Sequence, residues 1–170
     1  MDTMSGFHLA SEEDIRSGKT TDVYFENLME IFNKKGIGYE NVVAEFTASS
    51  LPDEWKWGIF AGLDEVLSLL EGKNVDVYAL PEGTAFRNQG NDGVNTPVMF
   101  IEGSYKEFCI YETPILGLIC HPSGVATKSA RVKKAAKDCN VMSFGIRRMH
   151  PGIAPVIDRA AYIGGCDDIS

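Results

Sequence analysis

The chain predicts an α+β amino-terminal domain followed by the opening helix-strand-helix unit of an incomplete α/β barrel. Apolar alternation in NVDVYAL and PVMFIEG marks strands, and helical apolar spacing marks the segments between them. After about Thr113 the pattern changes to one long helical stretch, a short apolar strand, a basic loop and a last helix. With 170 residues the chain can bury one core, or one small domain plus part of another, but it is too short for a full eight-unit barrel. The expected organisation is a flexible arm over 1–19, the α+β domain over 20–113 and the truncated start of a barrel over 114–170.

Each element has a local reason. Thr21 or Asp22 can cap a helix to about Lys34, with Tyr24, Leu28, Ile31 and Phe32 near one face and KKGIG ending it. VVAEFTAS reads as a strand. Pro52 suits a first helical turn, so a helix is expected from Asp53 to Leu70, its stripe formed by Leu63, Val66, Leu67 and Leu70. NVDVYAL is a strand turned by PEGT; QGNDGVNTP is an exposed loop; PVMFIEG and YKEFCIYE are two further strands. In PILGLICHPSGVATKSARVKKAAK, Pro122 is expected to break the ladder, leaving a helix from Ser123 to Lys137. NVMSF is a strand, GIRRMHPG the loop at its carboxyl end, and Ile153 to Tyr162 a helix stopped by Gly164-Gly165, with no later strand expected.

The formal charge of -8 argues against a general nucleic-acid surface, yet the charge is uneven. Between Lys128 and Arg148 stand seven basic residues against Asp138 alone. The four cysteines show no CxxC pair and no metal-ligand spacing; they are expected to be reduced, with Cys166 exposed in its polar tail. No run is long and apolar enough for a membrane span, and the amino terminus carries no export pattern, so a cytoplasmic protein is expected.

Ligands of open α/β sheets and barrels sit beyond the carboxyl ends of the strands. Arg147 and Arg148 occupy such a position, and the arginine fork suits carboxylates and phosphates. The same pair also fits a solvated or structural ion pair. His150 can donate to an anion or serve as a structural hydrogen-bonding group, and Thr127 and Lys128 follow a small-residue turn that could receive one. There is no GxSxG, no HExxH and no P-loop; the three histidines are far apart. Asp22, Glu26 and Glu30 on one helix face read as dipole compensation and solvation. Electrostatic positioning of anionic substrates is the chemistry these residues permit.

From Thr21 onward, TDVYFENLMEIF, EFTASSLP through GLDEVLSLLEG, VDVYALPEGTAFR, PVMFIEG, ETPILGLICHPSGVATKSARVKKAA and SFGIRRMHPGIAPVIDRAAYIGG occur in order. In these blocks the chain resembles the amino-terminal part of nicotinate phosphoribosyltransferases, in their compact bacterial and archaeal form. The resemblance implies transfer of a ribosyl phosphate from 5-phosphoribosyl 1-pyrophosphate to nicotinate, a salvage step toward NAD. It also implies ATP coupling through a phosphohistidine carried later in the chain, Mg²⁺ with the pyrophosphate, and a homodimer. On this chain it makes Tyr24 the aromatic that stacks on the pyridine. Arg147 and Arg148 become the catalytic basic pair near the donor or the acceptor carboxylate, with Thr127, Lys128 and His150 as neighbouring binding residues. Because the later barrel strands are not among these residues, an incomplete and inactive portion of such an enzyme is expected. A non-catalytic anion-binding or regulatory remnant is the second reading.

Overall fold

A computed structural model describes residues 6–169. Its central element is an antiparallel sheet of three strands, β1 (Asn41–Thr47), β3 (Val75–Ala79) and β5 (Pro97–Ser104), in the order β1-β5-β3. β5 is the middle strand because it carries the most continuous apolar content. Its Ile101 stands opposite Ala44 on one side and Val77 on the other, and is fully buried. The sheet is open, with β1 and β3 as its edges.

Helices cover this sheet. α1 (Glu12–Arg16) is closed by a capping box between Ser11 and Asp14. It is docked through Arg16, whose guanidinium donates to the Ser68 carbonyl and hydroxyl. Of the arm expected over 1–19, flexible or loosely docked, residues 1–5 lie outside the described residues and the remainder includes this anchored turn of helix.

α2 (Val23–Lys35) ends at Gly36 in the left-handed region, as its KKGIG signal predicts. It buries Phe25 and Phe32 with Leu28 and Met29 beside them. Tyr24 and Ile31, expected near the apolar face, are exposed.

The helix expected over 53–70 is a correction. A 3-10 turn (Pro52–Glu54), the short strand β2 (Gly58–Ile59) and α3 (Leu63–Leu70) occupy that stretch. β2 pairs with β4 (Ala85–Phe86). Gly62 at φ 97° starts α3, and an added Cβ there would lie 1.9 Å from the Leu118 carbonyl oxygen. α3 buries Val66, Leu69 and Leu70, while Leu67 is exposed. YKEFCIYE is likewise helical: α4 (Tyr105–Phe108) runs into a 3-10 turn (Cys109–Tyr111), and the i, i+3 spacing of Phe108 and Tyr111 buries both rings.

α5 (Glu112–Ala136) passes through Pro122 without stopping. The carbonyl that Pro122 cannot serve is that of Leu118, four residues back. That carbonyl lies against Gly62, so the irregularity is absorbed where another element crosses the helix without a side chain.

The second unit consists of β6 (Met142–Ser143), 3-10 turns over Gly145–Arg148 and Pro151–Ile153, α6 (Ala154–Ile163) and β7 (Asp168–Ile169). β7 corrects the expectation that no later strand follows: it pairs parallel to β6, Met142 opposite Asp168. The α+β domain followed by an opening helix-strand-helix unit (α5, β6, α6) with an unclosed sheet is the architecture the sequence predicts, and β7 is the addition to it.

Cys109 and Cys166 are buried, the latter against expectation, while Cys120 and Cys139 are exposed; all four are free thiols. Among the described residues no helix is long and apolar enough to cross a membrane.

Candidate functional site

Arg147 and Arg148 stand on the 3-10 turn directly after β6, both exposed. The turn is held by Arg147 N donating to the Phe144 carbonyl at 3.3 Å and Met149 N to that of Ile146 at 3.4 Å. Arg147 lies 4.5 Å over the Phe144 ring, and Arg148 donates to the Arg147 carbonyl at 3.5 Å. Among the described residues neither guanidinium has a carboxylate partner. This differs from an ion pair whose charge is already spent.

His150 Nδ1 accepts from Gly152 N at 3.0 Å, capping the next turn. In the neutral ring this bond places the proton on Nε2, so that edge is the donor available to an anion. The ring also meets Phe7 edge-on, at 6.2 Å between centroids.

The other expected site residues stand elsewhere. Thr127 is in the middle of α5, 4% exposed, and its hydroxyl accepts from Ile59 N at 2.8 Å, tying β2 to the helix. It also lines a cavity of about 550 Å³ with Trp55, Phe86, Leu116, Cys120 and Ser123. Lys128 lies over the Trp55 ring at 5.3 Å; Arg131 follows at 4.2 Å from Trp55 and 5.1 Å from Trp57, and Lys134 at 5.6 Å from Trp57. Lys133 pairs with Asp167 at 2.5 Å. The basic run from Lys128 to Arg148 is therefore divided: its helical part is committed to tryptophans and Asp167, and its loop part faces solvent.

Tyr24 is 66% exposed on α2 and packs edge-on against Phe25 at 5.1 Å. Among the described residues, no hydrogen bond, ion pair or ring contact joins Tyr24, Thr127 or Lys128 to the Arg147–His150 segment.

One arrangement at this end escaped sequence reasoning. Arg159 on α6 donates to both oxygens of Glu82, at 3.0 and 2.5 Å, and also to Asp64. Glu82 accepts in turn from Gly62 N at 2.5 Å and Leu63 N at 3.0 Å. It thus caps α3 in place of the side chain that Gly62 lacks. Seventy-seven residues separate Arg159 from Glu82, and no local pattern connects them.

Burial by itself would raise the Glu82 carboxyl. Arg159 and the two amides outweigh it and hold the group below the usual carboxylate range. Glu82 therefore contributes stability that is complete above its ordinary value of 4.5 and is lost as pH falls through the lowered folded value. Glu82→Gln is expected to reduce stability at neutral pH and to flatten its decline under acid. Thermal melts from neutral to acid pH check this; parallel curves for the two proteins would refute it.

Comparison with known proteins bears on what this scaffold serves. The family model "Quinolinate phosphoribosyl transferase, N-terminal domain" matches residues 22–123, and the corresponding C-terminal domain model matches 125–169. A crystal structure of nicotinate-nucleotide pyrophosphorylase from Pyrococcus furiosus is 51% identical, with a TM-score of 0.90 over 98% of this chain and 41% of that one. The nicotinate-nucleotide pyrophosphorylase from Francisella tularensis shares the fold, with a TM-score of 0.62 at 18% identity over 94% of this chain and 54% of that one. A curated relative named nicotinate phosphoribosyltransferase, from Bacillus subtilis, is 29% identical over 85% of this chain and 34% of its own length. The chain thus spans about a third of that curated relative.

These matches correct the family expected from the sequence. The two models that together run from 22 to 169 are those of quinolinate phosphoribosyl transferase. Nicotinate as acceptor, coupling to ATP hydrolysis and the Mg²⁺ requirement inferred with it all rested on the nicotinate family and lapse together. The physical reason is that many residues in the blocks that carried the resemblance serve packing. Thr127 holds β2, and Ser123 holds Ala61 N and O at 3.0 and 3.1 Å. A Cβ on Gly164 would lie 2.3 Å from the Ala126 carbonyl oxygen. Such residues report the scaffold and say nothing of the pyridine it accepts.

Proposed function

Because this chain belongs to the quinolinate phosphoribosyl transferase family, we propose that it forms part of an enzyme joining a phosphoribosyl group to quinolinate. The observation that carries this reading is the exposed Arg147–Arg148 pair at the carboxyl end of β6, without a carboxylate partner among the described residues. The donor is 5-phosphoribosyl 1-pyrophosphate. The pyridine nitrogen bonds to the ribosyl C1 as the bond from C1 to the pyrophosphate oxygen breaks, and pyrophosphate leaves with the electron pair. Quinolinate carries carboxylates on ring carbons 2 and 3, so a nicotinate nucleotide results when the 2-carboxylate departs as CO₂ and the electron pair it leaves on C2 takes up a proton from solvent.

Every participant except the developing ribosyl cation is anionic. A pair of arginines therefore acts where charge accumulates, on the leaving pyrophosphate or on an acceptor carboxylate. His150 supplies a further donor through Nε2, and Tyr24, with its ring exposed, is the candidate for stacking on the pyridine. Thr127 and Lys128 lie apart from this segment and hold β2 and Trp55 against α5.

The reaction can be tested by stoichiometry. Full-length protein supplied with quinolinate and 5-phosphoribosyl 1-pyrophosphate is expected to release pyrophosphate and CO₂ in equal amounts. Pyrophosphate release with no CO₂ would contradict the reading.

A further inference from the structure

Arg147 and Arg148 are held in place by little of their own. Their turn has two long backbone hydrogen bonds, a further bond from Gly145 N to the Ser143 hydroxyl at 3.3 Å, and the Phe144 ring. Its other support is α6: a Cβ on Gly145 would lie 2.8 Å from the Ile157 side chain, and Ile157 is 1% exposed. α6 therefore shares in fixing the turn that carries the two guanidinium groups.

α6 is fixed from two sides. Toward α5 it buries Ala160 and Ala161, and Gly164 lets the helices approach closely. Its other tie is Arg159, which forks onto both oxygens of Glu82 and onto Asp64. Glu82 is a firm anchor, since its side chain is only 14% exposed and two α3 amides fix it. We propose that Arg159 is a positioning residue: by locking α6 to Glu82 and Asp64 it sets the placement of Arg147 and Arg148 for anion binding. This rests on the anion-binding reading of that pair.

A planar fork fixes both the distance and the rotation of a helix relative to a carboxylate, whereas a lysine offers a single point charge. Small displacements of binding groups weaken binding even when the fold is intact.

The test is the affinity of the full-length protein for inorganic pyrophosphate, measured by calorimetry beside thermal stability. Arg159→Gln is expected to weaken pyrophosphate binding about tenfold, and Arg159→Lys to restore part of the loss. Ser68→Ala, which removes an Arg16 contact on the far part of α3, is the control. It is expected to lower stability and leave pyrophosphate affinity unchanged. An Arg159→Gln protein that melts earlier but binds pyrophosphate like the parent overturns the proposal. If Arg159→Gln does not fold, Arg159→Lys decides: weaker binding at near-parental stability supports positioning, and parental binding overturns it. The double variant R147A/R148A separates the two ideas. Unchanged affinity there sinks the anion-binding reading and this proposal with it. Lost affinity there, with Arg159→Gln unaffected, sinks positioning alone.

Discussion

Replacing both Arg147 and Arg148 by alanine in the full-length protein is expected to lower kcat/KM for phosphoribosyl transfer by about two to four powers of ten. The magnitude follows from their surroundings. Each guanidinium is exposed and no carboxylate among the described residues neutralises it, so its donors remain available to substrate. A hydrogen bond to a charged group is worth about 1.5–3 kcal/mol, and two of them about 3–6 kcal/mol. The loss should fall on the transition state, where the leaving pyrophosphate gains charge, so kcat should fall as well as affinity. Steady-state kinetics check this, and near-normal kcat/KM would remove the pair from its assigned role. Thermal stability should change little, because neither side chain is buried.

Gly62→Ala is expected to have the largest effect on stability. Gly62 sits at φ 97°, where a side chain is strained, and its Cβ would meet a backbone carbonyl at 1.9 Å. A non-glycine residue in the left-handed region costs about 1–2 kcal/mol, and forcing atoms into a packed contact about 1–3 more. The sum is about 2–5 kcal/mol, read from urea denaturation as a lower midpoint at constant slope. A loss below about 1 kcal/mol would mean that α5 yields easily at Leu118.

Both positions show what the sequence discloses and what it hides. β5 is legible because its apolar residues alternate, and α2 because a polar start and a glycine stop bracket an apolar stripe. Arg147 and Arg148 are legible as candidates because basic residues directly follow an apolar strand in an acidic chain.

Long-range packing hides the rest. Pro122 predicts a break in α5, yet the carbonyl it leaves unserved lies against Gly62, sixty positions earlier in the chain. The same crossing splits the helix expected over 53–70. YKEFCIYE has strand composition, but its rings recur every third residue and the core takes them as a helical turn. β7 is two residues long and exists because β6 offers it a parallel edge.

The candidate site divides in the same way. Tyr24 and the Arg147–His150 segment are surface groups whose chemistry can be read directly. Lys128 carries the same charge as Arg147, but Trp55 engages it, a contact across more than seventy residues. Arg159 was invisible for the same reason. The acceptor is not legible because SGVATKSA and AYIGG encode helix packing, which carries no information on the pyridine.

Acceptor choice tests the central claim most directly. Full-length protein is given equal concentrations of quinolinate and nicotinate with 5-phosphoribosyl 1-pyrophosphate, ATP is omitted, and consumption of each acid is followed by chromatography. The account predicts that quinolinate is consumed and nicotinate is spared; consumption of nicotinate with quinolinate untouched would contradict it.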